Sequence, residues 1–222
     1  MDIEKDATLR RLEDYLRGKV QLCIELLNIS LKDLRESPPE FRCEDFQDPI
    51  KADRIRKFLI LKERYKRPAS LILFYLLKKH LKLNAIEIYI HDLVAGAPAW
   101  EQGIPGGRDI NFIVVVDSKL DERAKSKIRE IERYLNYLVG HAISNYFWKK
   151  GLCPKNIPFN EMINHNLIEI IIIPPDKKSE FGLNSPFKII EKLDITWLES
   201  KLARLKRAIM LGKMDYLEKY LE

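Results

Sequence analysis

Residues 86–117, IEIYIHDLVAGAPAWEQGIPGGRDINFIVVVD, decide the fold. Ile86, Ile88 and Ile90 alternate with Glu87, Tyr89 and His91, the two-residue period of a strand with one buried face. This strand is expected from Ile86 to Leu93, ending in the small-residue turn Ala95-Gly96-Ala97. A second strand, Asp109 to Val116, opens on a carboxylate and runs into Phe112-Ile113-Val114-Val115-Val116. That unbroken apolar run suits a central strand covered on both faces. The segment between the two strands is too short for a full helical crossover. Antiparallel pairing remains open, as does a link through a helix of a turn or two around residues 98–102.

Outward from this stretch the pattern is helical on both sides. Downstream, Ile128, Ile131, Leu135, Leu138, Ala142 and Ile143 mark one side of an amphipathic helix between Asp121 and Trp148. A third strand follows, Leu167 to Ile173, with Glu169 as the single acid among isoleucines and Pro174-Pro175 ending it. Residues 176–187 read as a polar connection and the tail from about Ile195 to Leu221 as helix. Upstream, Leu9, Leu12, Leu16, Cys23, Leu27 and Leu34 predict one long helix over 3–36, stopped by Ser37-Pro38-Pro39. A second helix is expected from about Ile50 to Tyr65, broken near Pro68, and a buried third from about Ala69 to Leu81. The fold class is α+β: a small mixed β-sheet flanked by helices, with helical N- and C-terminal extensions. The expected division is a helical region over 1–67, a core over 68–176 and a helical region over 177–222.

The chain has 222 residues, 32% of them charged, with lysine, arginine, glutamate and isoleucine plentiful. That bias fits a heat-adapted protein, a thermophile's. Cys23, Cys43 and Cys153 lie far apart with no CxxC pair, against both a disulfide scaffold and a structural zinc site. The first residues, MDIEKDATLRRLEDYL, contain no apolar core of a secretory signal, and no apolar run is long enough to span a bilayer. The expectation is a cytoplasmic protein with no membrane partner. The first helix has enough apolar surface to build a homo-oligomer or to pack on its own sheet.

The net charge of +6 is concentrated. Between Lys51 and Arg67 stand eight cations and two acids, Asp53 and Glu63, an excess equal to that of the whole chain. Arg54, Arg56, Lys57 and Lys62 are the candidate contacts to a nucleic-acid backbone. The alternative is a solvated helix face.

Nucleotide transfer needs backbone N–H groups close to a triphosphate and carboxylates aimed at magnesium. Acids two apart on a strand point to one face, so a D-x-D pair can share an ion. In order and spacing, residues 69–175 resemble the polymerase-beta-like nucleotidyltransferase superfamily, its minimal members in particular. Gly96-Ala97 falls at the family's Gly-Ser turn, Asp109-Ile110-Asn111 at its Asp-x-Asp, and Glu169 on its third strand. The resemblance implies metal and catalytic roles for Asp109, Asn111 and Glu169, and nucleotide contacts from Gly96, Ala97 and Arg108. His91-Asp92 could serve as base and orienter, and Trp100 lies near the expected pocket mouth. Ala97 lacks the serine hydroxyl, Asn111 replaces an acid, and Glu169 is longer than the usual Asp. The expectation is therefore a degenerate, non-catalytic relative that binds nucleotide or nucleic acid. An active magnesium-dependent transferase of NMP to RNA, DNA or protein, and an unrelated α+β interaction protein, stand as alternatives.

Overall fold

A computed structural model describes residues 6–37, 41–81, 86–91, 107, 109–116, 120–154, 166–183, 190–213 and 221. Its elements are α1 (Ala7–Leu26), α2 (Leu31–Glu36), α3 (Pro49–Leu81), β1 (Ile86–His91), β2 (Ile110–Val116), α4 (Glu122–Lys149), β3 (Ile168–Ile173), β4 (Ile190–Lys192) and α5 (Ile195–Met210). The fold is α+β, with the strands in one sheet of order β3-β2-β1-β4. β1 runs antiparallel to both β2 and β4. β2 and β3 are parallel, with α4 as the crossover that a parallel pair requires. β4 went unseen in the sequence because three residues carry no measurable period.

Two helix expectations need correction. The helix expected over 3–36 is two helices, because Asn28 takes the left-handed conformation at φ 49° and turns the chain after α1. Asn tolerates that region better than most residues. Ser30 then opens α2: its Oγ accepts from Asp33 N at 3.1 Å, and Asp33 Oδ2 accepts from Ser30 N at 2.9 Å. That reciprocal pair is a capping box, legible in S-x-x-D but masked by the continuing spacing of Leu27 and Leu34. The break expected near Pro68 is absent, since α3 continues through it. Proline deprives the Arg64 carbonyl of its usual donor. Pro68 is nonetheless buried, and that burial offsets one missing bond. At the other end, α5 ends at Met210, with Gly212 at φ 63°; Leu221 is again helical, and residues 214–220 lie outside the described residues.

The sheet has two unlike faces. Ile88, Ile90, Ile110, Phe112, Val114, Ile168 and Ile170 join the main core under α1, α3, α4 and α5. That core draws on Leu16, Phe74, Ile131 and Leu205 alike, and α3 passes through the expected 67/68 boundary. Among the described residues, the opposite face buries a small cluster, Tyr89, Ile113, Val115 and Ile173, with Ile171, Leu183 and Ile190 packed against it. His91, Asn111 and Glu169 stand beyond it at one end of this second face. Among the described residues, no helix is long and apolar enough to cross a membrane.

Asp6 fixes where α1 begins and where it meets α3. Its Oδ1 accepts from Thr8 N at 3.0 Å, and its Oδ2 accepts from Lys79 Nζ at 2.6 Å and Tyr75 Oη at 2.5 Å. Burial alone would raise its proton affinity; the hydrogen bonds from Lys79 and Tyr75 outweigh that and hold the carboxyl down at about 2. A folded value below the unfolded one means stability present above the unfolded value and lost as pH falls through the folded one. Asp6→Ala is expected to lose about 2 kcal/mol at pH 7. Urea unfolding should show that difference from the unmodified chain closing between about pH 4 and pH 2.

Candidate functional site

The open end of the second face carries the candidate site. In the sheet register His91 lies opposite Asn111, and Asn111 opposite Glu169. Residues in register share a face, so these three side chains form a row across β1, β2 and β3. Asp109 precedes Asn111 by two residues, at the mouth of β2, which puts it toward the same face. Adjacent strands lie about 4.8 Å apart, within the span of one ion with oxygen ligands on two strands. Asp109, Asn111 and Glu169 are thus neighbours.

Their chemistry is that of an unfinished anionic site. Asn111 Oδ1 is shielded from water and has no hydrogen-bond donor. A buried carbonyl oxygen without a partner costs about 1–3 kcal/mol, which a cation or an N–H at that point would recover. Among the described residues, neither Asp109 nor Glu169 makes a salt bridge. Glu169 is exposed rather than buried, because β3 is an edge strand whose outer side has no neighbouring strand. Its carboxyl is partly withdrawn from water, which raises its proton affinity; Asp109 and Glu132 push the same way by repulsion. A positive charge at this end of the sheet would relieve that repulsion.

Two supports for the site were not foreseen. Lys62 reaches in from α3, 1% exposed, and its Nζ donates to the Gly107 carbonyl at 3.1 Å, two residues before Asp109. The outer edge of β3 is held by α4. Asn136 Oδ1 accepts from Leu167 N at 2.8 Å and Ile168 N at 3.0 Å, while its Nδ2 donates to Ile168 O at 2.7 Å. Glu132 Oε2 accepts from Ile170 N at 2.8 Å. These two side chains do for the edge what another strand would do. Their four-residue spacing beside the apolar stripe of α4 was the available signal.

The basic segment does not present the surface its composition suggested. Lys62 is a correction: a lysine 1% exposed cannot touch a phosphate backbone. Arg54 is held by Glu36 at 2.6 Å and Asp33 at 3.5 Å, and Lys57 by Asp53 at 2.8 Å. Lys51 pairs with Asp45 at 3.3 Å. Of the four candidate contacts only Arg56 is exposed, and among the described residues it has no acid beside it. Gly96, Ala97 and Arg108, with Asp92 and Trp100, lie outside the described residues. Cys23 is a buried free thiol and Cys153 a half-buried one.

Comparison with known proteins leaves the chain by itself: no family model, curated protein or solved structure matches it.

Proposed function

We propose that the protein is a nucleotidyltransferase-like nucleotide binder whose transfer chemistry is degenerate. In this account it takes a magnesium-bound nucleotide at Asp109, Asn111 and Glu169. The observation that carries the proposal is the shielded, donorless Oδ1 of Asn111, set in register between His91 and Glu169 and two residues from Asp109. Two carboxylates and an amide carbonyl are hard oxygen donors of the kind magnesium prefers. Among the described residues no three His, Cys, Asp or Glu side chains cluster to hold a metal by themselves. Phosphate oxygens would have to complete the coordination, so the ion and the nucleotide are expected to bind together. By the family resemblance, Gly96, Ala97 and Arg108 would face those phosphates.

Magnesium bound there would neutralise phosphate charge and hold the nucleotide in place. Asp109 and Glu169 supply the negative charge, and Asn111 orients one ligand oxygen without adding charge. A second ion for in-line displacement would find too few carboxylates. Binding without transfer is the outcome this donor set favours.

The test is thermal unfolding with ATP, GTP and CTP, each with and without magnesium. A nucleotide at about 100 times its dissociation constant should stabilise the fold by roughly 2.7 kcal/mol, and only when magnesium is present. Asp109→Ala should abolish the shift. No shift with any nucleotide, or an undiminished one in Asp109→Ala, would remove the site from the account.

A further inference from the structure

A cavity of about 680 Å³ opens on the helix-covered side of the sheet, away from the row of oxygen donors. It lies between α1, α3, β4 and the start of α5, with Ile90 among its lining residues. Its volume is in the range of small-molecule sites. Three acids and five cations line it, and the acids are already engaged. Lys66 Nζ holds Glu63 at 3.4 Å and Glu191 at 3.3 Å, while Asp194 caps α5 by accepting from Trp197 N at 3.1 Å. Arg64 and Arg67 are exposed and, among the described residues, have no carboxylate partner. Of the cations of the 51–67 segment left without a carboxylate, Arg64 and Arg67 line this cavity.

Arg67 is also pre-positioned. Its guanidinium lies over the Trp197 ring, 4.6 Å from the centroid. A guanidinium stacked on an indole keeps its N–H rim free, and that rim matches two oxygens of one phosphate. Lys201 Nζ lies 5.5 Å from the same ring centroid. With two cations already against it, the indole is a support for Arg67 rather than a platform for a base. The amino end of α5, where Trp197 sits, adds the positive end of its dipole.

We infer that this cavity binds a phosphomonoester dianion, gripped by Arg64 and Arg67. The inference does not rest on the nucleotide site proposed above, since the two lie on opposite sides of the sheet and share no residue.

Titration calorimetry on the whole chain at about 50 mM salt, without magnesium, tests it. The probes are AMP, inorganic phosphate, adenosine and a ten-residue oligothymidylate without terminal phosphates. AMP and phosphate should bind with a perturbation of Trp197 fluorescence, and adenosine should not bind. The double variant R64E/R67E should lose at least tenfold in AMP affinity. A matched control, K125E/K149E, should bind like the unmodified chain, which separates a site from general charge. Circular dichroism checks that both variants are folded, and both positions in R64E/R67E are exposed. Equal AMP binding in R64E/R67E, no binding of AMP or phosphate, or binding of the oligothymidylate in preference to AMP would each overturn the inference.

Discussion

Lys62→Glu is expected to destabilise the fold by about 4 kcal/mol or more, because it puts a carboxylate where a buried ammonium meets a carbonyl. Lys62 is 1% exposed, and its Nζ donates to Gly107 O at 3.1 Å. Reversal would set a negative charge against that oxygen with little water to screen it. With a urea slope of about 2 kcal/mol/M, the midpoint should fall by about 2 M. Lys62→Met keeps the methylenes and loses the charge and the bond to Gly107 O, so its cost should be smaller than that of the reversal. A midpoint unchanged by the reversal would mean that Lys62 does not anchor the approach to β2. A charge-reversal test of nucleic-acid binding that included Lys62 would thus measure folding rather than contact.

The second large effect is expected at Asn136. Its side-chain amide satisfies Leu167 N, Ile168 N and Ile168 O on the free edge of β3. Asn136→Ala leaves all three half-buried groups to water, at about 3 kcal/mol in sum. The loss should be local as well as global: amide exchange at Leu167 and Ile168 should accelerate more than in β1. Asn136→Asp keeps the acceptor for two N–H groups but turns an oxygen toward Ile168 O, so it should fall between the two. Unchanged exchange at the β3 edge in Asn136→Ala would show that α4 does not serve as its substitute neighbour. Because Glu169 follows directly in β3, this clamp also holds one of the proposed ligands in register with Asn111.

The parts of the fold that were legible are those with a period. β1 showed alternation, β2 an unbroken apolar run, and α4 a clean stripe, and the α+β class followed from their order. Pro68 misled because a breaker rule weighs one lost bond and cannot see the burial around it. Lys62 misled because charge implied surface. Its place four residues after Phe58 and seven after Ile55, on the buried side of α3, held the opposite signal. The pair Lys57–Asp53 was legible as a four-residue spacing, but the ion pairs that take up Arg54 use Asp33 and Glu36 on α2, a helix packed against α3, and no spacing within 51–67 records them.

At the site, the chemistry-bearing residues were legible and their setting was not. Asp109, Asn111 and Glu169 could be picked out by type and strand position, and register then brought Asn111 and Glu169 side by side. Glu132 could not be foreseen as a third acid near Glu169, because α4 meets β3 only through the crossover. The cavity beside Trp197 was equally hidden, since α1, α3, β1 and the β4–α5 stretch, distant from one another in sequence, build it.

The most direct measurement replaces magnesium with paramagnetic manganese, adds ATP, and follows amide signals by NMR. The account predicts the strongest broadening at Asn111 and Glu169, lost in Asp109→Ala. Signals at Asn111 and Glu169 that stay sharp under saturating manganese-nucleotide would contradict it.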